Sequence, residues 1–181
     1  TPQEIFFYRF LIAYLGIWVI SPKRLFAGNW KDELWLMAGG FFGGSLYFFT
    51  ENTALGITQA SNVAFIICTA PLLTTILSLL FYKSEKATKG LIYGSILALI
   101  GVGLVVFNGS FVLKLSPVGD LLTLLAALSW AFYSLVIKKM TGRYPTVFIT
   151  RKIFFYGVLT ILPAFLLHPL QPDFDVLLKP V

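Results

Sequence analysis

The chain has 181 residues, of which 57% are hydrophobic and 12% charged, against about a quarter charged in ordinary globular domains. That composition excludes a water-soluble core as the organising feature. The net charge of +6 and pI near 9.5 point to a polyanionic partner only until the basic residues are located, and their placement between apolar runs speaks against nucleic acid.

Residues 10–22, 34–50, 52–82, 90–113, 121–137 and 153–172 contain no Asp, Glu, Lys or Arg. A bilayer core about 30 Å thick is crossed by roughly 20 predominantly apolar residues in a helix, whereas barrel strands are about ten residues long and alternate in polarity. The runs therefore predict an all-α membrane protein with six visible transmembrane helices, at about 4–21, 34–54, 59–82, 90–108, 119–139 and 147–167. The run over 52–82 would reach about 47 Å as one helix, so its polar start, Thr58-Gln59-Ala60-Ser61-Asn62, is expected to belong partly to a turn.

Alternating the six spans places Lys23, Arg24, Lys31, Lys83, Lys86, Lys89, Lys138, Lys139, Arg143, Arg151 and Lys152 on one side. Only Arg9, Lys114 and Lys179 of the 14 basic residues fall on the other. The positive-inside rule makes the richer side cytoplasmic, so the first span runs inward and the sixth outward. The basic loops are expected to set topology and to touch anionic lipid head groups.

The chain opens Thr1-Pro2-Gln3-Glu4 with no initiator Met and no signal-peptide pattern, which reads as the interior of a longer protein. In the second span, Gly39, Gly40, Gly43 and Gly44 form two interleaved GxxxG pairs. Small residues at this spacing let helices approach closely in lipid, for packing within the subunit, a sliding surface or a homodimer contact. Glu51, near the outer end of that span, is the acid closest to membrane depth, since Asp32, Glu33 and Glu85 read as loop charges. A carboxyl there suits coupling to a proton or recognition of a substrate; an interfacial anchor is the plainer role.

Asn52, Gln59 and Asn62 supply amides near the same end, either to a pocket or to interhelical hydrogen bonds. Cys68, the only cysteine, offers no disulfide or metal framework. Pro71 lies mid-span and removes a helical hydrogen bond, predicting a kink that is a candidate hinge. Gly90, Gly94 and Ala98 form a further small-residue ridge. Trp130 and Tyr133 present aromatic faces on the fifth visible span, for ligand contact or packing. Arg9, Arg151 and Lys152 could attract an anionic substrate, with snorkelling to the head groups the simpler account, and His168 is expected to mark the end of the last span without a metal role.

Pro2 and Arg9 stand seven residues apart, as do Pro145 and Lys152, at a common offset of 143. Five crossings separate the two copies, and an odd number inverts the second relative to the first. Inverted repeats characterise many secondary transporters, with the substrate site near the midplane between them.

Several segments, in order, resemble the EamA family of the drug/metabolite transporter superfamily. Gly119-Asp120-Leu121-Leu122-Thr123-Leu124-Leu125-Ala126-Ala127-Leu128-Ser129-Trp130-Ala131-Phe132-Tyr133 is similar to the opening helix of a repeat. Glu51-Asn52-Thr53-Ala54-Leu55, Thr58-Gln59-Ala60-Ser61-Asn62 and Ala70-Pro71-Leu72-Leu73-Thr74 resemble the third-to-fourth helix region. Glu85-Lys86-Ala87-Thr88 and Gly101-Val102-Gly103-Leu104-Val105 resemble the turn and the fifth helix that follow. The resemblance implies a ten-helix fold of two inverted five-helix repeats. The chain would carry a first repeat lacking its first helix over 1–108 and the start of a second over 118–181.

Catalytic constellations are not visible: there is no carboxylate cluster for Mg²⁺, no paired histidines, and no serine nucleophile motif with a usable His. No cofactor is expected. The reading is a secondary transporter, an exporter or permease of small metabolites in a bacterial inner membrane, driven by a gradient or by exchange. A noncatalytic membrane assembly or sensor protein is the alternative.

Overall fold

A computed structural model describes residues 2–22, 26–82, 88–107 and 116–167, and the regular structure among them is entirely helical. Helix α1 spans Pro2–Ile20, opening on a proline whose missing N–H costs nothing at a first turn. Helix α2 spans Trp30–Gly40 and passes through a π-helical segment, Phe41–Leu46, into α3, Tyr47–Ile57. Helices α4 (Ala60–Ile67) and α5 (Ala70–Phe81) follow, then α6 (Lys89–Phe107), α7 (Pro117–Thr141), α8 (Thr146–Ile161) and the short α9 (Ala164–Leu167).

Four helical stretches among the described residues are long and apolar enough to cross a membrane: Gln3–Ile20, Ala60–Phe81, Pro117–Thr141 and Thr146–Leu166. Helices suit such segments because lipid offers no partner to backbone N–H and C=O groups. The second expected span starts at Trp30 rather than residue 34. Asn29 caps it by accepting from Asp32 N at 2.7 Å, and Asp32 and Glu33 complement the positive helix end in its first turn. Charges that read as loop thus belong to a capped helix start. In place of the kink expected within one helix at Pro71, the helix is interrupted just before it: Cys68 and Thr69 leave the helix, and it resumes as α5 with Pro71 its second residue. Thr69 Oγ1 donates to Ile66 O at 2.6 Å, tying the break down.

The helices run to and fro between two ends of one bundle. At one end Arg151 donates to Ser21 O, Arg143 meets Asp32, and Tyr82 OH donates to Leu135 O. At the other, Ser116 Oγ donates to Ile57 O at 3.3 Å and the rings of Phe7 and Phe165 meet edge to face. The rod formed by α2, the π segment and α3 lies between α7 and α8, which barely touch each other. Helix α7 also packs on α4 and α5, α8 on α1, and α6 on α4.

The glycines explain that wedge. A Cβ on Gly39 or Gly43 would collide with Ile153 and Val136 or with the Tyr133 ring, while one on Gly40 or Gly44 would press on the backbone of Gly157. One GxxxG pair thus seats mainly α7 and the other α8, so the ridge serves packing within the chain. Around Gly90 and Gly94 there is nothing within 4 Å, so this second ridge seats no described helix. Apolar cores fill the remaining space: Leu36, Val136, Met140, Ile149 and Ile153 near one end, and Phe6, Phe10 and Ile161 near the other.

Candidate functional site

Glu51 lies six residues before the end of α3, about 9 Å along the axis. Its Oε1 accepts from Tyr47 OH at 3.0 Å. The Tyr47 ring lies 5.1 Å from that of Trp130, which in turn lies 5.1 Å from Tyr133, and Tyr133 rests on the bare backbone of Gly43. Three residues singled out from the sequence, Glu51, Trp130 and Tyr133, are therefore joined through a fourth, Tyr47, that was not. Its signal was available as the four-residue spacing from Glu51 on one helix face. A carboxylate bordered by a phenol and ring faces can hold a proton or a cationic group.

The amides do not join this cluster. Asn52 Nδ2 donates to Phe48 O on its own helix at 2.7 Å, and the residue borders a small void of about 70 Å³ with Gln3, Phe6 and Ile161. Gln59 is exposed just ahead of α4, with no capping bond from its side chain. Asn62 is buried on α4.

Below the acidic cluster, the π segment is held to both flanking helices by polar bonds. Ser129 Oγ on α7 donates to Phe42 O at 2.8 Å, and Ser45 Oγ donates to Gly157 O on α8 at 3.1 Å. Ser45 and Thr160 hydroxyls share a further bond of 2.6 Å. Widened turns of this kind recur at functional sites, and this one sits between the two helices assigned from sequence to the second repeat.

A second polar cluster, at the end carrying the α7–α8 connection, corrects two sequence expectations. Arg151 and Lys152 do not extend to the surface but are 2% and 3% exposed, and Asp32 and Glu33 are buried as well. Lys152 pairs with Glu33, whose carboxylate also accepts from Tyr156 OH and, at 2.7 Å, from Ala27 N. Asp32 accepts from Arg143 Nη1 at 2.8 Å and from Tyr144 OH at 2.9 Å, and the same phenol oxygen accepts from Gly28 N. Arg151 donates to Ser21 O. Buried charges persist only when paired and hydrogen-bonded, and this network supplies both. It fastens the start of α2 to α8 and the connection preceding it. Sequence reasoning missed it because each charge, read alone, lay near a span end. Lys23, Arg24, Lys83, Glu85, Lys86, Lys114, His168 and Lys179 lie outside the described residues.

The model of the EamA-like transporter family matches residues 1–107. The chain is 32% identical over 149 residues to the uncharacterized transporter YdfC of Bacillus subtilis, covering 80% of this chain and 47% of that protein. Two uncharacterized transporters of Archaeoglobus fulgidus are 28% and 27% identical, covering 90% and 96% of this chain and 56% and 58% of theirs. The chain thus spans about half the length of the curated relatives it matches. No solved structure matches it significantly. With the family model covering more than half of its residues, this integral membrane chain belongs to the EamA-like transporter family.

Proposed function

We propose that the chain forms part of a secondary transporter of small metabolites that works by alternating access between two inverted five-helix repeats. Six crossings follow on this reading: the four long apolar helices, the rod from Trp30 to Ile57 and α6. The lysine-rich ends face the cytoplasm, in a bacterial inner membrane. Residues 118–181 begin the second repeat, and a small solute moves across rather than reacting.

The observation that carries the proposal is the wedging of the glycine-rich π segment between α7 and α8. First-repeat backbone meets second-repeat helices at mid-depth, where a transporter of this design places its substrate. Helices α1 and α8, which carry the matched Pro2/Arg9 and Pro145/Lys152 pairs, pack on each other in opposite directions, as inverted equivalents do. In this arrangement Glu51, with Tyr47, Trp130 and Tyr133, binds the coupling proton or a substrate group. The Asp32, Glu33, Arg143 and Lys152 network closes the cytoplasmic side, and the break before Pro71 acts as a hinge.

The test is flux in liposomes containing the full-length protein. Saturable, gradient-driven uptake of a small solute is expected for wild type. Glu51→Gln, reconstituted in equal amount, is expected to lose gradient-driven transport; undiminished transport would remove Glu51 from the mechanism, and substrate-independent inertness of wild type would remove the carrier reading itself.

A further inference from the structure

Threonine hydroxyls in these helices commonly find a carbonyl one turn back. Thr50, Thr123 and Thr160 each donate in this way, to Leu46 O, Gly119 O and Tyr156 O at 2.7 Å. Thr58 does not. It ends α3 in extended backbone, its N–H donates to Ala54 O at 2.8 Å, and its Oγ1 is buried with no hydrogen-bond partner among the described residues. Asp120, on the first turn of α7, is left in the same condition. Its Oδ2 accepts from Ser116 N at 3.2 Å, while its Oδ1 is buried with no such partner.

The two oxygens belong to one place. Gly119, next to Asp120, is bare where Thr58 rests: a Cβ there would lie 2.7 Å from Thr58 Cβ and 3.0 Å from Ser116 Oγ. Ser116 Oγ in turn lies 3.3 Å from Ile57 O. Two hydroxyls, a carboxylate oxygen and the last carbonyl of α3 are thus gathered at the start of α7. Partial negative charge collects at the carboxyl end of a helix, so the end of α3 adds to the carboxylate in favouring a cation.

Buried oxygens left unpaired are costly, a charged one most of all, and in native folds they point to a bound water or ion. Both atoms are already sealed, so a segment approaching from outside cannot supply the missing partner. Water needs room and two to four polar partners, and neither oxygen borders a space that water could enter. A bare sodium ion is smaller than water, and potassium is about as large. One carboxylate balances a single positive charge, whereas a divalent cation would leave a buried excess.

We propose that Asp120 Oδ1, Thr58 Oγ1, Ile57 O and Ser116 Oγ hold a sodium ion between the end of α3 and the start of α7. The proposal rests on burial and hydrogen bonding among these residues and not on transport, so a failed flux assay leaves it standing.

The test uses the full-length protein, purified in neutral detergent and exchanged into choline chloride. Equilibrium binding of radioactive sodium and thermal unfolding are followed at constant ionic strength, with potassium and calcium as competing probes. Sodium is expected to bind saturably and to raise the unfolding temperature, the other two to do neither. Asp120→Asn should abolish both effects, and in choline should unfold no sooner than wild type, since it removes an uncompensated buried charge. Thr58→Val keeps the shape without the hydroxyl. A hydrogen-bonding group facing a charge is worth about 1.5–3 kcal/mol, so this variant should bind sodium about tenfold more weakly or worse while folding normally. Gln59→Ala, beside Thr58 but exposed, should bind as wild type does. Absence of sodium binding to folded wild type would overturn the proposal. So would binding that survives Asp120→Asn or is undiminished in Thr58→Val, or an equal effect of potassium or calcium.

Discussion

Lys152 is a buried cation held in an ion pair. Its ammonium is buried against Glu33, with Tyr156 and the Ala27 amide supplying the remaining bonds of that carboxylate. Removing one member of a buried pair strands the other charge, at about 3–5 kcal/mol. Lys152→Met is therefore expected to lower stability by that amount in denaturant unfolding, and Lys152→Met with Glu33→Gln to recover part of the loss. A purely additive pair of substitutions would show that the two do not interact. Arg143, whose side chain is 54% exposed beside Asp32, is solvent-screened, and Arg143→Gln should cost no more than about 1 kcal/mol. At the Glu51 cluster, Tyr47→Phe deletes only the hydroxyl that binds Glu51. On the proposed role, transport by this variant should shift its pH dependence while the protein remains folded; an unshifted pH profile would separate Tyr47 from the coupling step.

Elements were legible in the sequence wherever length and apolarity decide the matter. The helices expected at 4–21, 90–108 and 119–139 appear as Pro2–Ile20, Lys89–Phe107 and Pro117–Thr141, because in lipid a long apolar run has few alternatives to a helix. Polar termini were less legible. Lys31, Asp32 and Glu33 read as a loop because the partners that bury the two acids, Arg143, Tyr144, Lys152 and Tyr156, stand more than a hundred residues away. The π segment was invisible for a related reason: Gly39, Gly40, Gly43 and Gly44 announce close packing but not which helices they meet. Gly40 faces backbone on α8, where an added side chain cannot be relieved by a rotamer change. Gly40→Val is expected to destabilise by about 1–3 kcal/mol or more. Gly94→Ala, in open space on α6, should cost nothing measurable by the same unfolding assay. Equal effects at the two sites would mean that the wedge between α7 and α8 is not where the glycines matter.

For the whole molecule, the offset of 143 residues paired Arg9 with Lys152, and these stand on adjacent antiparallel helices. Their surroundings differ, however. Arg9 is exposed, 6.0 Å from the Phe48 ring centroid, whereas Lys152 is locked in an ion pair. On the proposed inverted repeat, matched positions stand on oppositely directed helices without sharing chemistry, since each meets different neighbours. The candidate site shows the same division: Glu51, Trp130 and Tyr133 were singled out by residue type and depth and Tyr47 could have been by its spacing from Glu51, but the contact of its ring with Trp130 needed the packing of α3 on α7.

On the proposed topology the helices cross the bilayer to and fro, which puts Gln59 and Gly142 on opposite faces of the membrane. Single cysteines at Gln59 and Gly142, introduced one at a time with Cys68→Ser, can be probed in intact cells with a membrane-impermeant maleimide. Cysteine at 59 is expected to react at once and cysteine at 142 only after permeabilisation. Labelling of both from outside, or of neither until the membrane is opened, would place the two ends of α4 and α7 on one face and contradict the topology.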